Sequence, residues 1–397
     1  MAALVLCVLA APAGARAAGA ATAPGPSQGR LEKLLAAVEH KSWLVQHRAI
    51  QELAPLVSRD ARVRKALLEK LVRDTSSPTQ DVAFCALGQV EGPGVGEVIQ
   101  AYRDANSDDR QELRPVLGRM GERAKAAAPL LRKELAAAGA DPNQAAAIRV
   151  ALAQLGAAEK DDLAAIARDL SSPQRPGEGA LRAMCLAGRN EWVDAGIKRA
   201  LIAALGRDDD NRFLAAMALG TLGRKADPQV VDALAKAFDA AMKRQDKEVG
   251  YLTAGLPLAL IDPGRRKATL RAVLKTHHED WSRVTVGIML WLSAGITDEA
   301  VIRDVIDLLA DRDVAVSIEA AQMLGRIGPR AAAGTEKLLA MAASAPQTEQ
   351  REAAAKALGY VAAPADVAKL RTLIRKLGKD SSVAAALAES VKVVELE

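Results

Sequence analysis

Apolar and polar positions alternate along this chain with helical spacing, and the alternation is itself repeated. In "TDEAVIRDVIDLLA", apolar residues fall at Val301, Ile302, Val305, Ile306 and Leu309, one face of a helix. A polar turn, "DRD", follows, and "VAVSIEAAQMLGRI" reads as a second helix. Asp313 is placed to cap its start. Gly328-Pro329 ends it, because glycine tolerates a left-handed cap and proline cannot continue the hydrogen-bond ladder. The same phrase returns as "NRFLAAMALGTLGRKAD", "RQELRPVLGRMGERAKAAAP" and "EQREAAAKALGYVAAPAD". Aligning the leucine of each "A-L-G" gives anchors at Leu53, Leu87, Leu117, Leu152, Leu186, Leu219, Leu258, Leu292, Leu324, Leu358 and Val391, separated by 30 to 39 residues. A period of that size predicts a solenoid of about eleven helical hairpins, none of which can bury its apolar face alone.

A first helix, an Asp-containing turn and a second helix of the form V-R-x-x-A-A-x-A-L-G resemble the HEAT repeat, closest to its short bacterial, PBS-lyase-like variety. The resemblance covers about nine tenths of the chain and implies an all-α, right-handed armadillo/HEAT-type superhelix whose second helices line the concave face. It also implies a ladder between turn aspartates and second-helix arginines of neighbouring units. The matching arginines, seven residues before the anchor, are Arg110, Arg212 and Arg351, while Ser317 and Ala145 stand there in other units, so the ladder is expected to be patchy. The family consists mostly of partner-binding scaffolds, with a few enzymes among them.

On a helical wheel of the second helix, the anchor and positions −1, −4, −8 and +3 share one third of the circle and form the core stripe. Positions −2 and −6 lie opposite, and their rows are polar at the chain ends and apolar in the middle. Phe213, Met217, Val286, Leu290 and Ile318 form that apolar middle, a candidate partner-binding patch on the concave face. The helix "VTVGIMLWL", Val284 to Leu292, is apolar on every side and needs cover on both faces. The alternative is that tight coiling, or the irregular seventh unit with Pro257, packs over these residues and makes them core.

Composition adds little to the fold and more to the function. Half of the 397 residues are hydrophobic, only 3% are aromatic and the net charge is +5. Only Lys356 among the 22 positions of the two groove rows is basic, whereas a nucleic-acid track needs clustered lysine and arginine, so no nucleic-acid partner is expected. Lys369, Arg371, Arg375, Lys376 and Lys379 gather instead on a first helix, as a solvated outer face. No run of about 18 apolar residues marks a membrane span. "HHEDWS", His277 to Ser282, holds adjacent histidines that point to different sides of a helix, and no metal or other cofactor is expected there. His40 and His47 read as helix-surface residues, and Trp43 and Trp281 as covers over hairpin ends. Cys85 and Cys185, three repeats apart, lie beyond the reach of a disulfide.

The first residues carry an apolar run from Ala2 to Ala11, then the A-x-A sites Ala15-Arg16-Ala17 and Ala18-Gly19-Ala20. That is the pattern of a signal peptide over residues 1–20, followed by a linker over 21–30 and the repeats over 31–397. It predicts a protein exported by a bacterium to the periplasm or beyond, or a cytoplasmic one if the segment is not a signal peptide. The function expected is a non-catalytic scaffold that binds a protein or peptide. A hydroxylase- or lyase-like enzyme on a HEAT scaffold and a structural envelope protein are the alternatives. Oligomeric state is not readable from the pattern.

Overall fold

The structure is a computed structural model that describes residues 27–73, 78–138, 141–172, 178–187, 192–207, 211–222, 227–243, 254–262, 264–276, 299–378 and 381–396. The signal-peptide reading, the HHEDWS cluster, Trp281 and the all-apolar helix from Val284 to Leu292 lie outside the described residues. The helices that are described run in pairs, as the repeat predicts. The first pair is α1 (Gln28–Ala37) and α2 (Trp43–Leu53). Next come α3 (Ala61–Arg73) and α4 (Pro78–Leu87), α5 (Gly94–Asp104) and α6 (Ser107–Met120), and α7 (Ala128–Ala137) and α8 (Pro142–Gln154). These are followed by α9 (Lys160–Ser171) and α10 (Glu178–Ala187), α11 (Ala195–Ala204) and α12 (Asn211–Gly220), and α13 (Pro228–Lys243) and α14 (Leu256–Ile261). Then come α15 (Arg266–Thr276), α16 (Glu299–Leu308) with α17 (Val314–Ile327), α18 (Thr335–Ser344) with α19 (Thr348–Val361), and α20 (Val367–Leu377) with α21 (Ser382–Glu395). Among the described residues there is no strand, and the fold is an all-α solenoid of helical hairpins.

Of the described residues, one compact unit spans Leu56–Arg265 and the other joins 27–55 with those from Arg266 onward. In the first, α3 to α14 stack as successive hairpins. The anchors Leu87, Leu117, Leu152 and Leu219 have no exposed surface and Leu258 only 1%. Each such leucine contributes about 1.5–3 kcal/mol by leaving water. Helix starts are set by side-chain caps: Asn106 accepts the Asp109 amide at 2.9 Å, and the Asp194 carboxylate accepts that of Ile197 at 2.8 Å. Helix ends are met by arginines of the next hairpin. Arg123, in the turn after α6, donates to the carbonyls of Gly88 and Val90 just past α4, at 2.9 and 2.5 Å. Those carbonyls have no partner inside their own helix, and the helix dipole makes that end favour a cation.

In the second unit, α17, α19 and α21 lie side by side with their anchors Leu324, Leu358 and Val391 buried. The glycine that follows the anchor explains why the phrase keeps its third letter. A methyl on Gly325 would lie 3.3 Å from the Cα of Ala357, and one on Gly359 would lie 3.0 Å from the Cα of Ser390. Only a residue without a side chain lets the backbones of successive second helices come that close. The Ser390 hydroxyl uses the proximity to donate to the Ala355 carbonyl at 2.7 Å. Asp313 caps α17 as the sequence predicts, accepting the Ala315 amide at 3.1 Å, and Gly328 ends it in the left-handed region with φ of +72°.

A hairpin in a repeat stack should touch only its sequence neighbours, yet α1–α2 packs against the ends of α17, α19 and α21, some 300 residues away. Periodicity alone carries no signal for such a contact, because every repeat has the same apolar pattern.

Candidate functional site

Burial divides the two rows opposite the core stripe. In the first unit, Ala146, Val150, Ala180, Met184 and Met217 are all buried, Met217 with no exposed surface. The reading of Met217 as a groove-facing residue is therefore corrected: neighbouring second helices pack over that side of α12 and make it core. Only backbone placement is described for Phe213, on α12, and Val286 and Leu290 lie outside the described residues. Ile318, on α17, is half-buried. Of the five candidate residues the structure thus places one on a partly open face.

That face continues across the second unit at equivalent positions. Gln322 on α17 and Glu352 on α19 are half-buried, whereas Lys356 on α19 and Ala385 and Glu389 on α21 are exposed. Three adjacent second helices, fixed at the close distances of Gly325 and Gly359, therefore present an apolar residue flanked by a mixed set of charges. Glu389 is held by Lys392 at 2.8 Å. Such a surface suits an extended or helical segment of another chain better than a small molecule, since it offers separated contacts and no enclosing walls.

Two of the three second-helix arginines, Arg110 and Arg351, make their described hydrogen bonds within their own hairpins rather than to a neighbouring turn aspartate. Arg110 donates to the carbonyls of Tyr102 and Arg103, at 3.1 and 2.7 Å, so it closes the end of α5 in its own hairpin. Arg351 donates to the Thr348 hydroxyl one turn back. Charge pairs between neighbouring hairpins join first-helix residues to one another or to the flanking turns. Arg64 meets Glu97 at 2.6 Å, Lys198 meets Asp227 at 2.6 Å, Arg271 meets Asp311 at 2.7 Å and Lys369 meets Glu336 at 2.6 Å. The hydrogen bond from Arg271 holds the Asp311 carboxyl below its ordinary range, as that from Lys198 does for Asp227.

The buried polar residues of α2 form a second group, which the sequence reading missed. His47 is 3% exposed and Arg48 1%, so His47 is not a helix-surface residue. Arg48 donates to the carbonyls of Gly359 and Tyr360, both at 3.0 Å, and to that of Ala362 at 2.8 Å. Gln51 donates to those of Arg326 and Ile327 at 3.2 and 3.3 Å. Arg30, on α1, reaches the Val394 carbonyl at 3.4 Å, and Glu52 holds both Arg30 and Arg48 at 2.8 Å. Trp43 meets His47 edge to face at 6.3 Å, and His47 meets Tyr360 likewise at 6.1 Å. Burial, reinforced by the charge of Arg326, pushes the His47 imidazole down to about 4, and burial raises the Tyr360 hydroxyl to about 12. The signal available in the sequence was Arg48 itself, a charge beside the core stripe where Leu181, Leu214 and Ala353 stand in other repeats.

Both cysteines of the repeats are buried thiols, and Cys185 donates to the Leu214 carbonyl. Among the described residues no three His, Cys, Asp or Glu side chains gather as a metal-holding group, and no helix is long and apolar enough to cross a membrane.

No family model matches the chain, and no curated protein does. Solved structures are similar in architecture. An engineered protein is 19% identical with a TM-score of 0.26, over 91% of this chain and 98% of its own. A Kap121p mutant is 10% identical with a TM-score of 0.33, over 93% of this chain and 46% of its own. Kap95p, in a structure describing its binding to RanGDP, is 12% identical with a TM-score of 0.34, over 93% of this chain and 57% of its own. The chain spans about half the length of these two Kap structures, and the likeness is one of fold alone.

Proposed function

We propose that this chain is a non-catalytic scaffold of short, bacterial-type HEAT repeats, whose second-helix face in the unit containing α16 to α21 holds a segment of another protein. One observation carries this reading. The close-packed second helices α17, α19 and α21 form a rigid platform on which Ile318, Gln322, Glu352, Lys356 and Glu389 stand at equivalent positions and remain partly or fully open. A rigid face costs little ordering entropy when a partner docks, so a modest set of contacts suffices for binding. Ile318, the large apolar residue on that face, is the natural anchor.

Affinity capture from the native source, with the wild-type chain and Ile318→Asp as separate baits, tests this. The expected result is a protein retained by the wild type and lost from the variant, with the thermal midpoint of the variant within a few degrees of the wild type. Equal capture by both baits would move the binding surface elsewhere. The same reading puts the protein outside the bacterial cytoplasm, and natural protein beginning at Ala18 or Ala21 would agree with it; an intact Met1 would not.

A further inference from the structure

We propose that the first hairpin, α1–α2, is an exchangeable arm: the helix ends that it occupies in its own chain also take the first hairpin of a second copy, and two chains that trade arms form a closed pair. The site consists of three helix ends met in order. Gln51 donates to the Arg326 and Ile327 carbonyls at the end of α17. Arg48 donates to those of Gly359, Tyr360 and Ala362 at the end of α19, and Arg30 to that of Val394 in the last turn of α21. Each helix end carries carbonyls without intrahelical partners at the negative end of a dipole, so two guanidiniums and an amide match the row in charge as well as in hydrogen bonding. Glu52 holds both guanidiniums at 2.8 Å, which fixes them relative to each other within the arm. Gly328 completes the fit, since a Cβ there would lie 2.0 Å from the Gln51 side-chain oxygen.

The arm is tied only slightly to the repeats that follow it in sequence. In other repeats a second helix stacks on the next one, α6 on α8, α8 on α10 and α17 on α19. Among the described residues α2 packs chiefly on α21 and on the 3-10 turn Gly328–Gly334, and less on α4. The chain leaves α2 through one 3-10 turn, Ala54–Leu56, which contains Pro55. From Val57 onward the backbone is fixed within the other compact unit: the Val57 carbonyl accepts from Arg64, and the Ser58 hydroxyl bridges the Gln89 carbonyl and the Glu91 amide. Rotation at that single turn therefore suffices to carry the arm to another chain, where every bond to the helix ends is made again by an identical copy. Since the contact is the same whichever chain supplies the arm, concentration sets the balance between the single chain and the pair. Arg48 stands where none of the other repeats has a basic residue, so the first hairpin of a second copy, and no other hairpin of it, carries the matching donors.

Two full-length variants, neither able to close on itself, test the exchange. Arg48→Ala with Gln51→Ala in one chain removes donors from the arm and leaves the helix ends intact. Gly328→Asn in the other blocks the helix ends and leaves the arm intact. Mixed in equal amounts, the two should give a species of twice the single-chain mass by light scattering, and a tag on the first should retain the second. Each variant alone should stay at single-chain mass. A mixture that holds single chains only, or pairing by either variant alone, would overturn the proposal. Should Gly328→Asn fail to fold, as its thermal transition would show, untagged wild type takes its place. The tagged double variant should then retain wild type in amounts that rise with concentration, and should not retain its own untagged form. Failure to retain wild type at any concentration, or equal retention of both, would overturn the proposal.

Discussion

Where a glycine follows the anchor leucine, as at Gly325 and Gly359, it is a spacing device, and its importance differs from repeat to repeat. At Gly359 an added methyl would lie 2.9 Å from the Ser390 hydroxyl oxygen and 3.0 Å from its Cα, so something must shift; at Gly325 the nearest atom is at 3.3 Å. Alanine gains up to about 1 kcal/mol of helix propensity at either site. Gly359→Ala should nonetheless destabilise the chain by about 1 kcal/mol or more, because overpacking two helices outweighs the gain, whereas Gly325→Ala should change stability by less than about 1 kcal/mol. Urea denaturation of the two variants checks the contrast. At the former groove positions the same technique separates core from surface. Met217→Asp places a charge where there is no exposed surface and should cost about 3 kcal/mol or more, while Ile318→Asp, at a half-buried site, should cost about 1 kcal/mol. The anchors and caps were readable in the sequence because they follow the helical period. The burial of Met217 was not, because a helical wheel gives the direction of a side chain and says nothing of what the next helix lays over it.

Between elements, the strongest polar contacts are those from which water has been removed. In the first unit, Arg114 on α6 is 5% exposed and meets the Glu134 carboxylate of α7 at 2.5 Å, with the Tyr102 hydroxyl of α5 donating to the same carboxylate. Burial is the main reason the Tyr102 hydroxyl is pushed well above its ordinary range. Arg114→Ala would leave Glu134 half-compensated inside three helices, and a loss of about 3 kcal/mol is expected in thermal or urea unfolding. The exposed first-helix ladder should behave differently. Arg271→Ala breaks a pair with Asp311 at 2.7 Å whose guanidinium lies in solvent and within reach of salt, and should leave the unfolding midpoint essentially unmoved. The hairpins and their order were legible from the period, helped by turns that carry an Asp, Gly or Pro, such as Asp313, Pro346 and Gly378. Arg110 and Arg351 were expected in a patchy ladder because their spacing matches a family pattern, while their described partners are the carbonyl and hydroxyl groups closest to hand.

At the scale of the molecule, pH and partner binding report on different parts of the account. The imidazole of His47 is lowered, so the unfolded or undocked chain binds the extra proton, and stability is full above about pH 6.5 and falls as pH drops toward 4. For one buried histidine the loss reaches about 3 kcal/mol at the acid end. The lowered carboxyls of Asp227, Asp307 and Asp311 act in the same direction but only below the ordinary carboxylate range, whereas Glu112 and Asp169, whose carboxyls burial pushes up, act in the opposite sense. Joining α1–α2 to α17, α19 and α21 could not be read from a repeating pattern, since closing a loop of about 300 residues leaves no mark on local spacing. What the sequence did offer was the polar run His47, Arg48 and Gln51 in a helix whose other repeats are mostly apolar at those places. The second-helix face is the central functional claim, and site-directed photo-crosslinking tests it most directly. A photoreactive residue placed at Ile318 and, in a separate protein, at Arg303 on the first helix α16 would be irradiated in the native source. A discrete crosslinked protein at position 318 and none at 303 is the predicted result; adducts at 303 alone, or at neither position, would contradict it.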